Sequence, residues 1–218
     1  MRNFKKTLSF LLSTVIIVSS VVGVGTTVFA ATDEHTYKNF KYRILDDNTA
    51  EICGYTGKNA VVTVPDSIDL KPVTSIGRTA FYSGKIKEVT IPNTVRSIKW
   101  WAFYGCESLE KINLNFGLKT VGYGAFMNCK NLKSVSIPMS VTQICDDSFA
   151  VSCSTKKGVF DTYSKQTIST QQYSTDSSFT LDGYSGTVAE KYCNDNSLNF
   201  VSSGNVIYGD VNNNGTVE

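Results

Sequence analysis

Asp210, Asn212 and Asn214 stand at every second position of the closing stretch GDVNNNGTVE, with Gly215 and Thr216 directly after them. Alternating oxygen-bearing side chains ahead of a glycine form the ligand pattern of a calcium loop. Side chains bind from positions 1, 3 and 5, the glycine makes the sharp turn, and the next backbone carbonyl, here that of Thr216, is the fourth ligand. The same loop needs a chelating carboxylate at position 12, and Glu218 falls at position 9. A site built from these residues alone holds calcium poorly, so the stretch reads as the opening of a motif continued in a longer gene product.

Other residue types offer other chemistry. Six cysteines (Cys53, Cys106, Cys129, Cys145, Cys153 and Cys193) form an even set, which in an exported chain invites disulfides. No C-x-x-C spacing occurs, so a zinc knuckle or dithiol centre has no support. Cys106 and Cys129 fall in one register and Cys153 slips by a single place. The expected arrangement is a ladder of small buried side chains, although a bridge between Cys106 and Cys129 is sterically open. The one histidine, His35, lies in a polar lead-in and is expected at the surface rather than in a nucleophile's relay. Glu51, Glu88, Glu107 and Glu110 could supply a carboxylate pair, but each is expected at an exposed slot with no segment left to build a cleft, which argues against an enzyme. The aromatics carry more promise. Trp100, Trp101, Tyr104 and Tyr123 recur in equivalent turns, with Tyr82 in register one unit earlier. Exposed rings in such a row stack on sugars or anchor a protein partner.

A repeat positions all of these groups. SIGRTAF, SIKWWAF, TVGYGAF and QICDDSF place Phe81, Phe103, Phe126 and Phe149 at steps of 22, 23 and 23 residues. Between them Val89, Ile112 and Val135 step by 23 and 23. VVTVPDSI, from residue 61, begins the series, offset by a longer turn around Lys71 and Pro72. Val89-Thr90-Ile91 alternates as a short half-buried strand does, and Pro65, Pro92 and Pro138 end such strands by removing a ladder donor. A second apolar pair, such as Ile98 with Phe103, returns to cover the same core. One unit cannot bury both faces, so the units stack as a solenoid. The small polar face of the strands carries Lys87, Thr90, Lys111, Asn113, Ser134 and Ser136.

The I-G-x-x-A-F pattern, the Cys three residues after Phe, and the V-x-I-P strand resemble BspA-type leucine-rich repeats, common in secreted and surface proteins of bacteria and some protists. The resemblance implies a β-rich leucine-rich-repeat solenoid of about 23 residues per coil, closed by an N-terminal β-hairpin cap and a short C-terminal capping helix. FKYRILDDNTAEICGYTG resembles the opening hairpin, and FTLDGYSGTVAEKYCNDNSLNFV the closing segment. In the latter, Thr187 and Glu190 are spaced as a capping box, and Val188, Ala189, Tyr192 and Cys193 form an apolar face. Residues 154–178 depart from the pattern as an irregular or inserted coil. After the linker SSGNVIY, GDVNNNGTVE resembles the start of a type I dockerin. That likeness implies calcium as cofactor, Asp210, Asn212, Asn214 and Thr216 as its ligands, and the cohesin of a scaffoldin in a cellulosome-like complex as partner. Trp100, Trp101, Tyr104 and Tyr123 are then the expected surface for a glycan or for a host or surface protein.

At the N-terminus Arg2, Lys5 and Lys6 precede an apolar run and the small-residue site VFA, the form of a cleaved secretory signal. Removing it takes the charge from +2 to near −1, a balance that points to neither nucleic acid nor a membrane surface. The expected divisions are a signal peptide (1–30), lead-in and hairpin cap (31–59), repeats (60–153), last coil and closing cap (154–201), linker (202–208) and the calcium-loop opening (209–218).

Overall fold

The computed structural model describes residues 34–149, 152–161, 166–174, 176 and 178–205. The signal segment, the linker from residue 206 onward, the calcium-loop residues Asp210, Asn212, Asn214 and Thr216, and the Cys153 side chain lie outside them.

The chain begins as an antiparallel meander of β1 (His35–Tyr37), β2 (Phe40–Ile44) and β3 (Ala50–Tyr55). From there the pairing turns parallel. β4 (Val61–Thr63) opens one ladder, and β5 (Ser67–Ile68) folds back on β6 (Lys71–Ile76) through Asp69 and Leu70. Both of those residues have positive φ, the backbone of a two-residue hairpin whose twist matches its strands. This is the longer turn around Lys71 and Pro72 that offsets the first unit. Each following coil contributes a three-residue and then a two-residue strand: β7 (Glu88–Thr90) and β8 (Ser97–Ile98), β9 (Lys111–Asn113) and β10 (Thr120–Val121), β11 (Ser134–Ser136) and β12 (Gln143–Ile144). The longer strands pair β4-β7-β9, and the shorter continue the meander as β3-β6-β8-β10-β12. The two ladders face each other across one core.

The turns form a third wall. Phe81 N–H donates to Ala102 O at 2.8 Å, Phe103 to Ala125 at 2.8 Å and Phe126 to Ser148 at 2.7 Å. Inside this wall the repeated phenylalanines stack nearly parallel. Centroids lie 4.8 Å apart for Phe81–Phe103, 5.2 Å for Phe103–Phe126 and 5.2 Å for Phe126–Phe149. Phe40 and Tyr55 extend the column at the head. At the far end Phe179 stacks on Phe149 at 5.4 Å, although it sits just before a strand rather than after one.

The departure after the third full coil is a hairpin of β13 (Ser152–Asp161) and β14 (Gln166–Ser174), set between coil positions without breaking the stack. β15 (Thr180–Ser185) pairs directly with β11, Val135 against Leu181, so the solenoid resumes beyond the hairpin. Helix α1 (Val188–Asn196) and β16 (Asn199–Asn205) close it. α1 buries Ala189, Tyr192 and Cys193, the face expected from sequence, but the capping box does not form as spaced. Thr187 Oγ1 donates to Tyr184 O at 2.6 Å, and the Glu190 carboxylate accepts the N–H of Gly186, at 2.7 Å, rather than that of the N-cap residue.

Candidate binding surface

The cysteine ladder is buried and reduced. Cys106 Sγ donates to Phe81 O at 2.9 Å and Cys129 Sγ to Phe103 O at 3.2 Å, each thiol satisfying a carbonyl of the preceding turn. Both are free, as are Cys53, Cys145 and Cys193. Burial pushes the Cys129 thiol well above the usual thiol range and those of Cys53 and Cys193 up to about 11. Burial thus disfavours the reactive thiolate at these three positions, whereas the hydrogen bond from Cys129 holds the buried Cys106 thiol below its ordinary value.

Glu51 corrects the sequence reading. It is 1% exposed, not at an open slot. Arg43 Nη2 lies 2.5 Å from one carboxylate oxygen, while Ser75 Oγ at 2.7 Å and the Lys99 ammonium hold the other. The partners come from the hairpin, the first coil and the second. Lys99 shares its register with Gly77 of the preceding coil. A Cβ on Gly77 would lie 2.7 Å from Ile52 O and 3.1 Å from Glu51 Oε1, so only glycine fits beside the buried carboxylate. Burial by itself raises the Glu51 pKa, but Lys99, Ser75 and Arg43 outweigh it and hold the group below its ordinary value. Glu88, Glu107 and Glu110 pair with lysines one coil away. Among the described residues no cluster of acidic, histidine or cysteine side chains could hold a metal ion, and no helix is long and apolar enough to cross a membrane.

The aromatic row follows from the turn geometry. Thr79, Trp101, Gly124 and Asp147 occupy one position of successive turns, all with φ between 53° and 57°. This left-handed step turns the chain sharply: the residue before it lies at the edge (Arg78, Trp100, Tyr123, Asp146), while the one after it is buried (Ala80, Ala102, Ala125, Ser148). Trp100, just before it, is 59% exposed and makes no ring contact with a described residue. Trp101 itself is half-buried: the Arg78 guanidinium lies 4.7 Å from its centroid, Tyr123 meets it edge-on at 6.2 Å, and its indole packs on Gly124. Farther along the turn, Tyr82 and Tyr104 stack at 5.5 Å with planes 3° apart, and Tyr82 is 57% exposed. Beside them a shallow depression of about 390 Å³ is lined by Ser83, Tyr104, Glu107, Ser108 and Asn128 among others. The structure thus places three of the four expected aromatics in two contacts, Trp101 with Tyr123 and Tyr104 with Tyr82, and leaves Trp100 outside both. The share of Tyr82 in the display was readable from its register; the covering of Trp101 by Arg78 was not.

The profile of the BspA type Leucine rich repeat region matches residues 63–180 in 6 copies. The chain belongs to the BspA-type leucine-rich-repeat family. Among solved structures, a leucine-rich repeat protein from Bacteroides capillosus matches at 31% identity over 52% of this chain and 88% of its own, with a TM-score of 0.50. A leucine rich cell surface protein from Faecalibacterium prausnitzii matches at 34% identity over 54% of this chain, with a TM-score of 0.51; the BspA-type array here spans 34% of that longer protein. Comparison with curated proteins finds no match. The family repeat accounts for the ladders, the phenylalanine column and the cysteine positions. The Tyr82–Tyr104 stack and the Glu51 cluster arise from residues that differ between its coils.

Proposed function

We propose that the chain is a secreted, non-catalytic binding module that meets its ligand at the aromatic turn edge. The observation that carries the reading is the Tyr82–Tyr104 stack, held parallel and open to solvent beside a polar depression. Two rigid rings with hydroxyl, amide and carboxylate groups at their side suit a glycan face or the polar rim of a surface protein. Trp100 extends the edge by one more exposed ring. A cell-surface relative in the same repeat family supports placing the module outside the cell, as does the signal-like N-terminus. We further propose that residues 209–218 open a dockerin that tethers the module to a cohesin. Asp210, Asn212, Asn214 and the Thr216 carbonyl are all oxygen donors, the set that calcium takes, and when bound the ion would order that loop.

The test is binding by the full chain to plant polysaccharides, mucins and matrix proteins, repeated with Tyr82→Ala/Tyr104→Ala and with Trp100→Ala. The expected result is a ligand whose affinity falls about tenfold or more in the double variant while the melting temperature stays put. Finding no ligand, or one indifferent to all three rings, would replace this reading with that of a spacer or of an accessory repeat in a polysaccharide-degrading enzyme.

A further inference from the structure

Where charged side chains meet across adjoining coils, they meet with opposite sign. Lys87 pairs with Glu110 at 3.0 Å, Lys111 with Glu88 at 3.0 Å, Lys130 with Glu107 at 2.6 Å and Lys133 with Asp176 at 3.1 Å. Arg96 and Lys119 break this rule. Lys119 N–H donates to Arg96 O at 2.8 Å, so the two hold the same place in consecutive coils, where adjoining backbones run about 4.8 Å apart. Both are exposed, and neither has an acidic partner among the described residues. Thr74 precedes and Thr142 follows in the same column, so no carboxylate flanks the pair from either side. Like charges directly opposed in a sheet destabilise it.

The repeat departs from its own pattern at this spot. Neighbouring coils read Pro92-Asn93-Thr94 and Pro138-Met139-Ser140, and the coil between them reads Asn115-Phe116-Gly117. Phe116 is left 56% exposed. A Cβ on Gly117 would lie 2.0 Å from Asn93 O and 2.2 Å from Arg96 Nη1. The guanidinium is therefore seated where any larger residue would displace it, and its Nη1 donates to Asn93 O at 2.6 Å. Arg96, Lys119, Phe116, Gly117 and Asn93 line an open depression of about 400 Å³.

We propose that this depression binds an acidic sugar. Its carboxylate or sulfate bridges Arg96 and Lys119, and its ring lies over Phe116. A bridging anion converts the unfavourable cation pair into two charge-assisted contacts. A peptide is the weaker fit. It needs a free strand edge or an apolar hole for an anchor side chain, whereas the backbone N–H groups of Arg96, Lys119 and Thr142 are already paired with neighbouring coils and the depression is wide and shallow. The inference stands apart from the aromatic edge: Arg96 lies at the entry to β8 and Trp100 beyond its exit.

The experiment measures binding of the full chain to four polymers: polygalacturonate, a sulfated galactan, a neutral galactan and polyglutamate. Expected is binding of one or both acidic polysaccharides, weakened about tenfold by Arg96→Gln, Lys119→Gln and Phe116→Ala and unchanged by Trp100→Ala. The two acidic polysaccharides separate carboxylate from sulfate recognition. Melting temperatures of these surface variants show that each is folded. Absence of binding to both acidic polysaccharides overturns the proposal, as does equal binding of the neutral galactan. So does binding of polyglutamate that matches the polysaccharides and survives Phe116→Ala, which would mark a nonspecific cationic patch.

Discussion

Phe126 touches a ring on each side, Phe103 and Phe149, and is 2% exposed. Phe126→Ala is expected to cost about 3–5 kcal/mol, read from urea denaturation; a loss under about 1 kcal/mol would place the ring outside the core. Cys106 and Cys129 should resist alkylation in the native protein and appear as free thiols once it is denatured without reductant; a linked peptide would contradict this. Glu51 behaves differently because its charge matters. Its folded pKa is held below the ordinary value of 4.5, so its contribution to stability is complete above that value and is lost as pH falls through the lower folded pKa. Lys99→Met removes one of its cations and should cost about 1–3 kcal/mol at neutral pH. It should also shrink the further loss of stability on acidification, since the folded pKa then rises toward the unfolded value and less linked stability remains to be lost. A titration curve parallel to the wild type's would show that Lys99 does not stabilise the carboxylate.

Short strands of two or three residues hold because each is paired with a neighbouring strand over a shared core, and their order could be read from sequence because bulk recurs at a fixed step. Val89, Ile112 and Val135 signalled both the strand and the face it buries. Glu51 escaped for a physical reason. It alternates correctly, pointing away from Ala50 and Ile52, but Arg43, Ser75 and Lys99 come from three separate segments to roof that outward face. Local pattern does not carry that information. The capping residues of α1 were found but not their hydrogen bonds, because Gly186 has a positive φ that brings its own N–H to Glu190. Glu190→Ala should therefore cost about 0.5–1.5 kcal/mol, more than Thr187→Ala, whose hydroxyl contacts only the preceding turn. Thermal denaturation of the two variants decides the order.

Across the described residues the aromatic column links the opening meander to the closing segment. Stability in such an array is close to a sum over neighbours, so breaking one junction should loosen one side of it more than the other. Phe149 is the last junction, meeting Phe126, Phe179 and the edge of Tyr192. In Phe149→Ala, amide hydrogen exchange should quicken through β15, α1 and β16 while β8 and β10 stay protected. Uniform acceleration would mean that the array opens only as a whole.

The Glu51 cluster also bears on how such a gene can change. Tandem units of nearly equal length invite unequal recombination, which removes or adds one unit at a time. Excising a length such as residues 97–119 would bring Lys87 against Lys133 in place of Glu110. It would also exchange Lys99 for Gly122, the next residue of that register, which has no side chain to reach Glu51. The carboxylate would remain buried with a cation missing, a far heavier loss than a shortened ladder. The coils look alike but are not interchangeable, and copy number next to the opening cap is fixed by a single lysine.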